Sequence, residues 1–346
     1  MIFSEIITRW YSINKRYLPW RETKDPYKIW LSEIILQQTQ VSQGWPYYEA
    51  FVATFPSVYD LAKADESTVL KLWQGLGYYS RARNLHTAAK YIVQELDGEF
   101  PSNYKDLLKL KGVGDYTASA IASICFNEAT AVVDGNVYRV LSRYYGIDTP
   151  INSTEGIKTF KALAQRVMDA KQPADYNQAI MEFGAIQCTP KSPGCAQCPL
   201  NESCVAFGEN RIDSLPVKLK AAKPKKKFFN FLVVISDDGK TYLEKRTGKG
   251  IWQNLYQFPL IETEKNLNQK AFATLVSTHP LIKTQNFDLR RYNEDPIIHK
   301  LSHQHLYTTF YIVQVNTLEN GIRAKSIRDY AVPVLIQNFI EAFNFN

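Results

Sequence analysis

Four cysteines fall between residues 188 and 204 in the spacing Cys188-x6-Cys195-x2-Cys198-x5-Cys204, and nothing else in the chain limits its fold as tightly. Pro190, Pro193, Gly194 and Pro199 interrupt the same stretch, and proline lacks the N–H that a helix interior needs. The chain must therefore loop around a compact centre and present four thiols to it. Structural zinc usually takes two close cysteine pairs, whereas a single Cys-x2-Cys occurs here. A cubane iron–sulfur cluster also takes four thiolates, and its larger radius tolerates uneven spacing. Spacing favours a [4Fe-4S] cluster and leaves zinc open. Crowded thiols of this kind suit metal ligation in a reducing compartment better than a disulfide framework, which places the protein in the cytoplasm. The fifth cysteine, Cys125, stands four residues after Ile121 on a helical stripe and is expected in the core.

At 346 residues the chain exceeds one typical domain, so two are expected. Hydrophobic residues make up 45% and charged residues 22%, which excludes wholesale disorder and a disulfide mini-protein. No apolar run approaches the roughly 20 residues that cross a bilayer, so no membrane partner is expected. The stretch Met1-Ile-Phe-Ser-Glu-Ile-Ile-Thr-Arg-Trp10 reads as an amphipathic helix, without the apolar core of a signal peptide.

The net charge of +7 is concentrated in one place. Between Arg211 and Asn230 stand Arg211, Lys218, Lys220, Lys223, Lys225, Lys226 and Lys227 against Asp213 alone, six of the seven net charges. With Pro216, Pro224 and little periodicity, residues 211–228 read as a basic linker, a solvated tether or one that also touches phosphates. The two sides of it differ in texture. Before residue 187 the chain shows helical patterns: Asp25-Pro26 opens one through Gln40, and others lie near 57–73, 80–96, 103–110, 115–126, 136–145, 155–170 and 174–186. After residue 228 it reads as strands. Phe228–Ser236, a turn at Asp238-Gly239 and Thr241–Arg246 suggest a hairpin. His305–Val315 alternates likewise, and helices near 267–277 and 332–343 complete an α+β unit.

Three further features carry chemistry. Leu110-Lys-Gly112-Val-Gly114-Asp-Tyr-Thr-Ala118 reads as a helix end, a Gly-x-Gly turn and a new helix. Bare N–H groups at such a turn, with the dipole of the helix that follows, make a phosphate seat that needs no basic side chain. Glu33 lies on a helical pattern with Ile29, Trp30, Ile34, Leu36 and Gln37, where periodicity alone puts a glutamate on a solvated face. If buried, its pKa would rise and it would serve as a general acid. Asp134 stands where a helix begins, as an N-cap, and capping N–H groups help to keep a carboxylate ionised. One carboxyl held neutral and one held charged is what glycosidic-bond cleavage requires.

The hairpin Leu-x-Gly-Val-Gly, the following Val-x-Asp-Gly-Asn-Val-x-Arg-Val and the four-cysteine loop resemble the endonuclease III superfamily of DNA glycosylases. Leu18-Pro-Trp-Arg21, Trp30-Leu-Ser-Glu-Ile-Ile-Leu-Gln-Gln-Thr-Gln-Val41 and Gly75-Leu-Gly-Tyr-Tyr-Ser-Arg-Ala-Arg-Asn-Leu85 are similar to the MutY-type adenine glycosylases, over about residues 10–210. Gly250-Ile-Trp-Gln-Asn-Leu-Tyr-Gln-Phe-Pro259 resembles that family's Nudix-like domain. The resemblance implies a multidomain chain. An all-α helix–hairpin–helix glycosylase domain with an iron–sulfur cluster loop would occupy 1–210, and an α+β Nudix-like domain that recognises 8-oxoguanine would occupy 229–346.

It also implies a reaction: removal of adenine mispaired with 8-oxoguanine or guanine, after the base is flipped from double-stranded DNA. By position Glu33 matches the general acid and later base, and Asp134 the carboxylate that stabilises the oxocarbenium sugar. Tyr116 and Asn136 match residues that support them. Trp20, Arg21 and Glu182 match the adenine pocket, Gln38 and Tyr78 side chains that wedge into the base stack, and Ser302 and His303 the loop that reads 8-oxoguanine. Gly112 and Gly114 match the DNA-backbone seat, and Cys188, Cys195, Cys198 and Cys204 the cluster ligands. A monomer is implied, associated with the nucleoid in a bacterium.

Departures from the pattern are local. Lys111 replaces a proline of the hairpin, and Leu301 an aromatic residue before Ser302-His303. The Nudix acidic cluster Arg-Glu-x2-Glu-Glu is absent, so that domain should recognise rather than hydrolyse. Two other readings compete. An endonuclease III-like bifunctional glycosylase and lyase needs a lysine amine as nucleophile, and Tyr116 stands at that position. A non-catalytic lesion-binding protein would lack Glu33 or Asp134, and both are present.

Overall fold

The computed structural model describes residues 2–220, 222–282 and 286–345. The chain divides into two compact units, Met1–Lys63 with Asn84–Lys220, and Ala64–Arg83 with Ala221–Asn346. Among the described residues no helix is long and apolar enough to cross a membrane.

The first unit is helical. Its helix Asp115–Phe126 packs against both Pro26–Ile35 and Pro173–Glu182. Asp25 starts helix Pro26–Ile35 as its sequence suggests, accepting the Tyr27 N–H at 3.0 Å with Pro26 at the first helical position. That helix stops at Ile35 rather than continuing to Gln40, and Gln38 takes a left-handed φ of 53° before a new helix, Val41–Thr54, begins. The pattern near 57–73 is two helices broken at Ala64 and Asp65, of which Val58–Lys63 belongs to this unit and Glu66–Leu72 to the other. Tyr104–Leu107, the turn at 110–114 and Asp115–Phe126 form the hairpin. Cys125 is half-buried rather than enclosed, and burial pushes its thiol up to about 12.

The basic stretch does not behave as one tether. Ile151 N–H donates to Val217 O, Asn152 brackets Leu219, and Arg143 holds Ile212 O and Leu215 O, so residues 211–219 belong to the helical unit. Lys225, Lys226 and Lys227 instead open a strand, β1 (Lys225–Ser236). The second unit places β1 beside β8 (Gln304–Val315), in parallel, along their whole lengths from Lys225↔Gln304 to Ser236↔Val315. β5 (Leu260–Thr263) pairs antiparallel with β1, while β6 (Phe287–Arg291) and β7 (Ile297–Lys300) pair with β8. The expected hairpin survives only at Ile235↔Thr241, where β2 (Lys240–Thr241) meets β1 and then β9 (Ile322–Arg323). Beyond it the chain leaves the sheet, and β3 (Glu244–Lys245) pairs with β4 (Tyr256–Gln257). Leu232, Val234, Tyr311 and Val313 on one face pack on Phe272 and Val276 of helix Gln269–Ser277. On the other, Phe310 stacks between Phe231 and Phe339 of helix Val334–Ala342.

The hairpin glycines differ in what they tolerate. Gly112 has φ 82°, and a Cβ there would lie 2.8 Å from the Asn84 Cβ, whereas Gly114 has extended backbone with nothing within 4 Å of its Cβ position. Gly112→Ala should therefore cost about 1–3 kcal/mol of stability, and Gly114→Ala less than about 1 kcal/mol, the change in cap propensity. Urea unfolding of both variants checks this, and equal losses would remove the backbone argument.

Candidate active site

Glu33 is 8% exposed, so the expectation of a solvated face is overturned. Its ten-residue helix has no such face: Tyr27, Ile29, Trp30, Leu31, Ser32, Ile34 and Ile35 are buried around it. Burial pushes its carboxyl up to about 7. A hydrogen bond from Tyr116 and the charge of Arg21 oppose that rise, and Asp134 adds to it. A carboxyl of that strength carries a proton about half the time near neutrality and can both give and take one.

Asp134 caps helix Gly135–Tyr145. Its Oδ1 accepts the N–H groups of Asn136 at 2.9 Å and Val137 at 2.8 Å, and its Oδ2 accepts Asn136 Nδ2 at 2.8 Å. Burial raises this carboxyl above the ordinary range, while these donors and Arg139 work against the rise. Capping alone would have lowered it, so the net direction is opposite to what the cap suggests by itself. Tyr116, the second residue of helix Asp115–Phe126, is half-buried, with its hydroxyl in reach of Glu33 and 3.1 Å from Met181 Sδ. Burial, then the charges of Glu33 and Asp134, hold its pKa well above that of a free tyrosine, so it stays a donor.

Glu182 ends helix Pro173–Glu182 almost without exposure. Arg16 reaches it with Nε at 2.7 Å, Nη2 at 2.7 Å and its own backbone N–H at 2.9 Å, and Arg21 Nη2 adds a bond at 2.8 Å. Burial would raise this carboxyl, but those donors outweigh it and bring it to about 2. Glu182 is thus an anchor for two guanidinium groups. Arg16 has no helical pattern to announce it and went unnoticed in the sequence. Its signal there is only charge, Arg16 and Arg21 five residues apart around Leu18-Pro-Trp20. Trp20 itself is buried edge-on against Trp45 and Tyr48.

Trp20, Arg21, Glu33, Tyr116, Asp134, Asn136 and Glu182 all line one cavity of about 190 Å³, together with Arg16, Gln178 and Met181. The other residues singled out in the sequence lie elsewhere. Gln38 is exposed on its left-handed turn, and Tyr78, 50% exposed, has φ 45°. Ser302 and His303 are exposed in the turn between β7 and β8, where Leu301 N–H donates to Gln304 O. Gly112 and Gly114 are exposed at the hairpin.

Cys188, Cys195, Cys198 and Cys204 surround a second, smaller pocket with Val140, Leu200 and Ile212. Arg143 Nη1 lies 3.4 Å from Cys188 Sγ and 2.7 Å from Thr189 O, so a cation faces the thiols. Among the described residues no three His, Cys, Asp or Glu side chains are placed to hold a single metal ion. Four thiols around one apolar pocket, with a cation beside them, form a donor set that suits a thiolate-ligated anionic centre. A polar chain runs from that loop to the first cavity: Arg139 Nε donates to Cys188 O at 2.7 Å, Arg139 Nη2 to Asn136 Oδ1 at 2.9 Å, and Asn136 Nδ2 to Asp134. Gly184 lets the lead-in to the loop approach, since a Cβ there would meet Asn136 at 2.6 Å.

Residues 31–167 match the family model of the HhH-GPD superfamily of base excision DNA repair proteins, and residues 230–342 match the NUDIX domain. The chain is 35% identical over 356 residues to the adenine DNA glycosylase of Buchnera aphidicola subsp. Schizaphis graminum, covering 99% of each. It is 45% identical over 213 residues to that of Homo sapiens, covering 59% of this chain and 39% of the human one. Among solved structures it is similar to a thermostable thymine-DNA glycosylase, with TM-score 0.56 and 31% identity over 60% of this chain and 95% of that one. It shares its fold with endonuclease III trapped covalently on DNA, with TM-score 0.53 and 19% identity over 60% and 95%.

The raised Glu33 carboxyl has a cost that can be measured. Between the ordinary glutamate value of 4.5 and about 7 the folded protein binds a proton that the unfolded chain has lost, so this residue's contribution to stability falls as pH rises. Glu33→Gln mimics the protonated form. It should leave stability unchanged at pH 4 and raise it at pH 8 by up to about 3 kcal/mol, from 1.36 kcal/mol per unit. A denaturation series that shows no pH-dependent gain would contradict the burial argument.

Proposed function

The chain belongs to the adenine DNA glycosylase family, and we propose that it removes adenine paired with 8-oxoguanine or guanine in double-stranded DNA, with Glu33 and Asp134 doing the chemistry. Its reaction class is the family's: monofunctional hydrolysis of an N-glycosidic bond in base excision repair. One observation carries the assignment of residues. Two carboxyls share one cavity, one carrying its proton about half the time near pH 7 and the other supplied with three N–H donors.

A duplex cannot enter a cavity of about 190 Å³, so the adenine must leave the stack to reach these groups. Trp20 then offers an apolar wall and Arg21, fixed by Glu182, a directed donor. Glu33 gives its proton to a ring nitrogen of the base, which makes the base a better leaving group. As the glycosidic bond lengthens, positive charge grows on the sugar and the Asp134 carboxylate, held in place by Asn136, stabilises it. Glu33, now ionised, takes a proton from the water that attacks the sugar, and returns to its starting state. Tyr116 donates to Glu33 in its ionised form and contributes no nucleophile, since a phenol cannot form a Schiff base.

The remaining roles rest on position and exposure. Gln38 and Tyr78, both exposed and left-handed at loop tips, wedge into the stack. The Gly112–Gly114 turn seats a phosphate, and Ser302 and His303 read the base opposite the adenine. Cys188, Cys195, Cys198 and Cys204 would hold the [4Fe-4S] cluster, which when bound ties the loop together by thiolate ligation and takes no part in the hydrolysis. We take the protein to work as a monomer in the cytoplasm, at the nucleoid in a bacterium, where thiols stay reduced for ligation.

Two experiments test the reading. Incubated with duplexes carrying 8-oxoguanine:adenine or thymine glycol, the protein should release adenine from the first and leave an intact abasic site, with strand breaks only after alkali. Base release from the second duplex alone would overturn the assignment. Tyr116→Lys should gain strand cleavage and become trappable on DNA by borohydride, because a desolvated lysine amine can attack the opened sugar. An active variant with no trapped adduct would mean that the side chain at 116 does not face the anomeric carbon. Separately, the purified protein should be brown and contain iron and acid-labile sulfide in equal amounts. A colourless, fully active zinc protein would defeat the cluster.

A further inference from the structure

The turn that carries Tyr78 belongs, with residues 64–83, to the same compact unit as the sheet. Three residues of it, Gly75, Gly77 and Tyr78, have left-handed φ values of 102°, 71° and 45°. Such a turn does not hold itself. Part of its support is internal. Trp73 Nε1 donates to Gly77 O at 3.0 Å, and the Arg81 guanidinium lies over the rings of Trp73 and Tyr78 while donating to Leu76 O and Gly77 O.

The rest comes from two segments more than 150 residues further along the chain. From residues 328–332, Val332 N–H donates to Gln74 Oε1 at 3.2 Å, and Val332 O accepts the Tyr79 hydroxyl at 3.3 Å. Lys71 Nζ reaches Arg328 O and Tyr330 O. From the segment Gly250–Leu255, Gln253 O accepts Arg83 Nη1 at 2.9 Å, and Asn254 Nδ2 donates to Glu66 Oε1 at 2.6 Å. Trp252 and Asn254 are themselves left-handed, with φ 59° and 65°. The two segments are tied to each other by Tyr256 N–H on Ala331 O at 2.8 Å.

We propose that Gln253–Asn254 and Arg328–Val332 form a clasp that fixes the Gly75–Tyr79 turn, so that this part of the Nudix-like domain sets how Tyr78 is presented to DNA. Gln74, Tyr79, Val332 and Asn254 are positioning residues: they touch no base, and they act through the backbone on either side of Tyr78. The acidic cluster Arg-Glu-x2-Glu-Glu of a Nudix hydrolase is missing from this domain, and the Trp-Gln-Asn-Leu stretch is engaged in holding the turn instead. The functional half of the proposal rests on the reading of Tyr78 as a wedge. The clasp itself does not.

The test uses the full-length protein with Gln74→Ala, Asn254→Gly (which keeps the left-handed φ), Tyr78→Ala, and each clasp change combined with Tyr78→Ala. Amide hydrogen exchange at residues 74–80 should accelerate about tenfold in Gln74→Ala or Asn254→Gly, since Gln74 ties the turn to Val332 and Asn254 anchors the helix Glu66–Leu72 that leads into it. Gln74→Glu, which retains the acceptor for Val332 N–H, should restore it. With 2-aminopurine opposite 8-oxoguanine, each clasp variant should show weaker extrusion than wild type, and no further loss when added to Tyr78→Ala. Unchanged exchange in both clasp variants overturns the clasp. Losses that add to that of Tyr78→Ala overturn its action through Tyr78. Normal extrusion by Tyr78→Ala defeats the wedge and with it the functional consequence, while accelerated exchange would still establish the clasp.

Discussion

Burying a carboxylate without leaving it orphaned is the constraint from which much of the helical unit follows. A buried charge with no partner costs several kcal/mol or takes up a proton instead. Asp134 limits both by standing at the head of helix Gly135–Tyr145, where two backbone N–H groups and the Asn136 amide converge on it. The helix that supplies this cap must then be held in register. Arg139 and Arg143, one turn apart on its buried side, do so by taking carbonyls from Gly184, Cys188, Thr189 and Pro190. The four-cysteine loop therefore acts as a backstop for the helix that carries Asp134. Its distance from the chemistry does not make it independent of the chemistry.

The second unit is organised around a different constraint, the parallel pair of β1 and β8. Parallel strands lie some way apart in sequence and cannot be joined by a tight turn, and the chain between these two supplies β5, β6, β7 and helix Gln269–Ser277, which cover the pair. The pairing also decides what the basic run is. Lys225 donates its N–H to His303 O, and Lys226 lies over the Tyr307 ring, so the lysines are fixed along the strand that borders the Ser302–His303 turn. A feature that composition presents as a flexible tether is in part a rigid cationic edge.

What was legible in the sequence was local. Asp25 and Asp134 announce their helices because a cap is a contact between residues two or three apart, and the Gly-x-Gly turn and the cysteine spacing are equally short-range. Glu33 was misplaced by periodicity because the rule assumes that a helix has a wet side, and Pro26–Ile35 has none. A stretch with six hydrophobic residues in ten could have raised that suspicion. Arg16 was missed because its partner Glu182 is 166 residues away. The Phe228–Arg246 hairpin forms only at Ile235↔Thr241 for the converse reason. A turn signal at Asp238-Gly239 was real, but the long-range pairing of β1 with β8 and β5 claimed the strand. The grouping of residues 64–83 with the sheet unit is likewise made by contacts that no local pattern records.

The three carboxyls of the cavity show how one enclosed space can hold three different acids. Burial pushes each of them upward, so burial alone cannot distinguish them. The donors do. Glu182 receives four bonds from two arginines and falls to about 2, which makes it a permanent anion whose charge is spent on fixing Arg16 and Arg21. Asp134 receives three neutral N–H donors, and these offset part of its burial. Glu33 has the Tyr116 hydroxyl and the more distant Arg21 charge, and it rises to about 7. The number and charge of the donors thus give the acids different tasks: the one with arginines organises the pocket, the one with amides faces growing positive charge, and the one with fewest moves the proton. Adding a cation beside Glu33 would lower its pKa and erase that division, which is why Arg21 must be held by Glu182 rather than left to pair with Glu33.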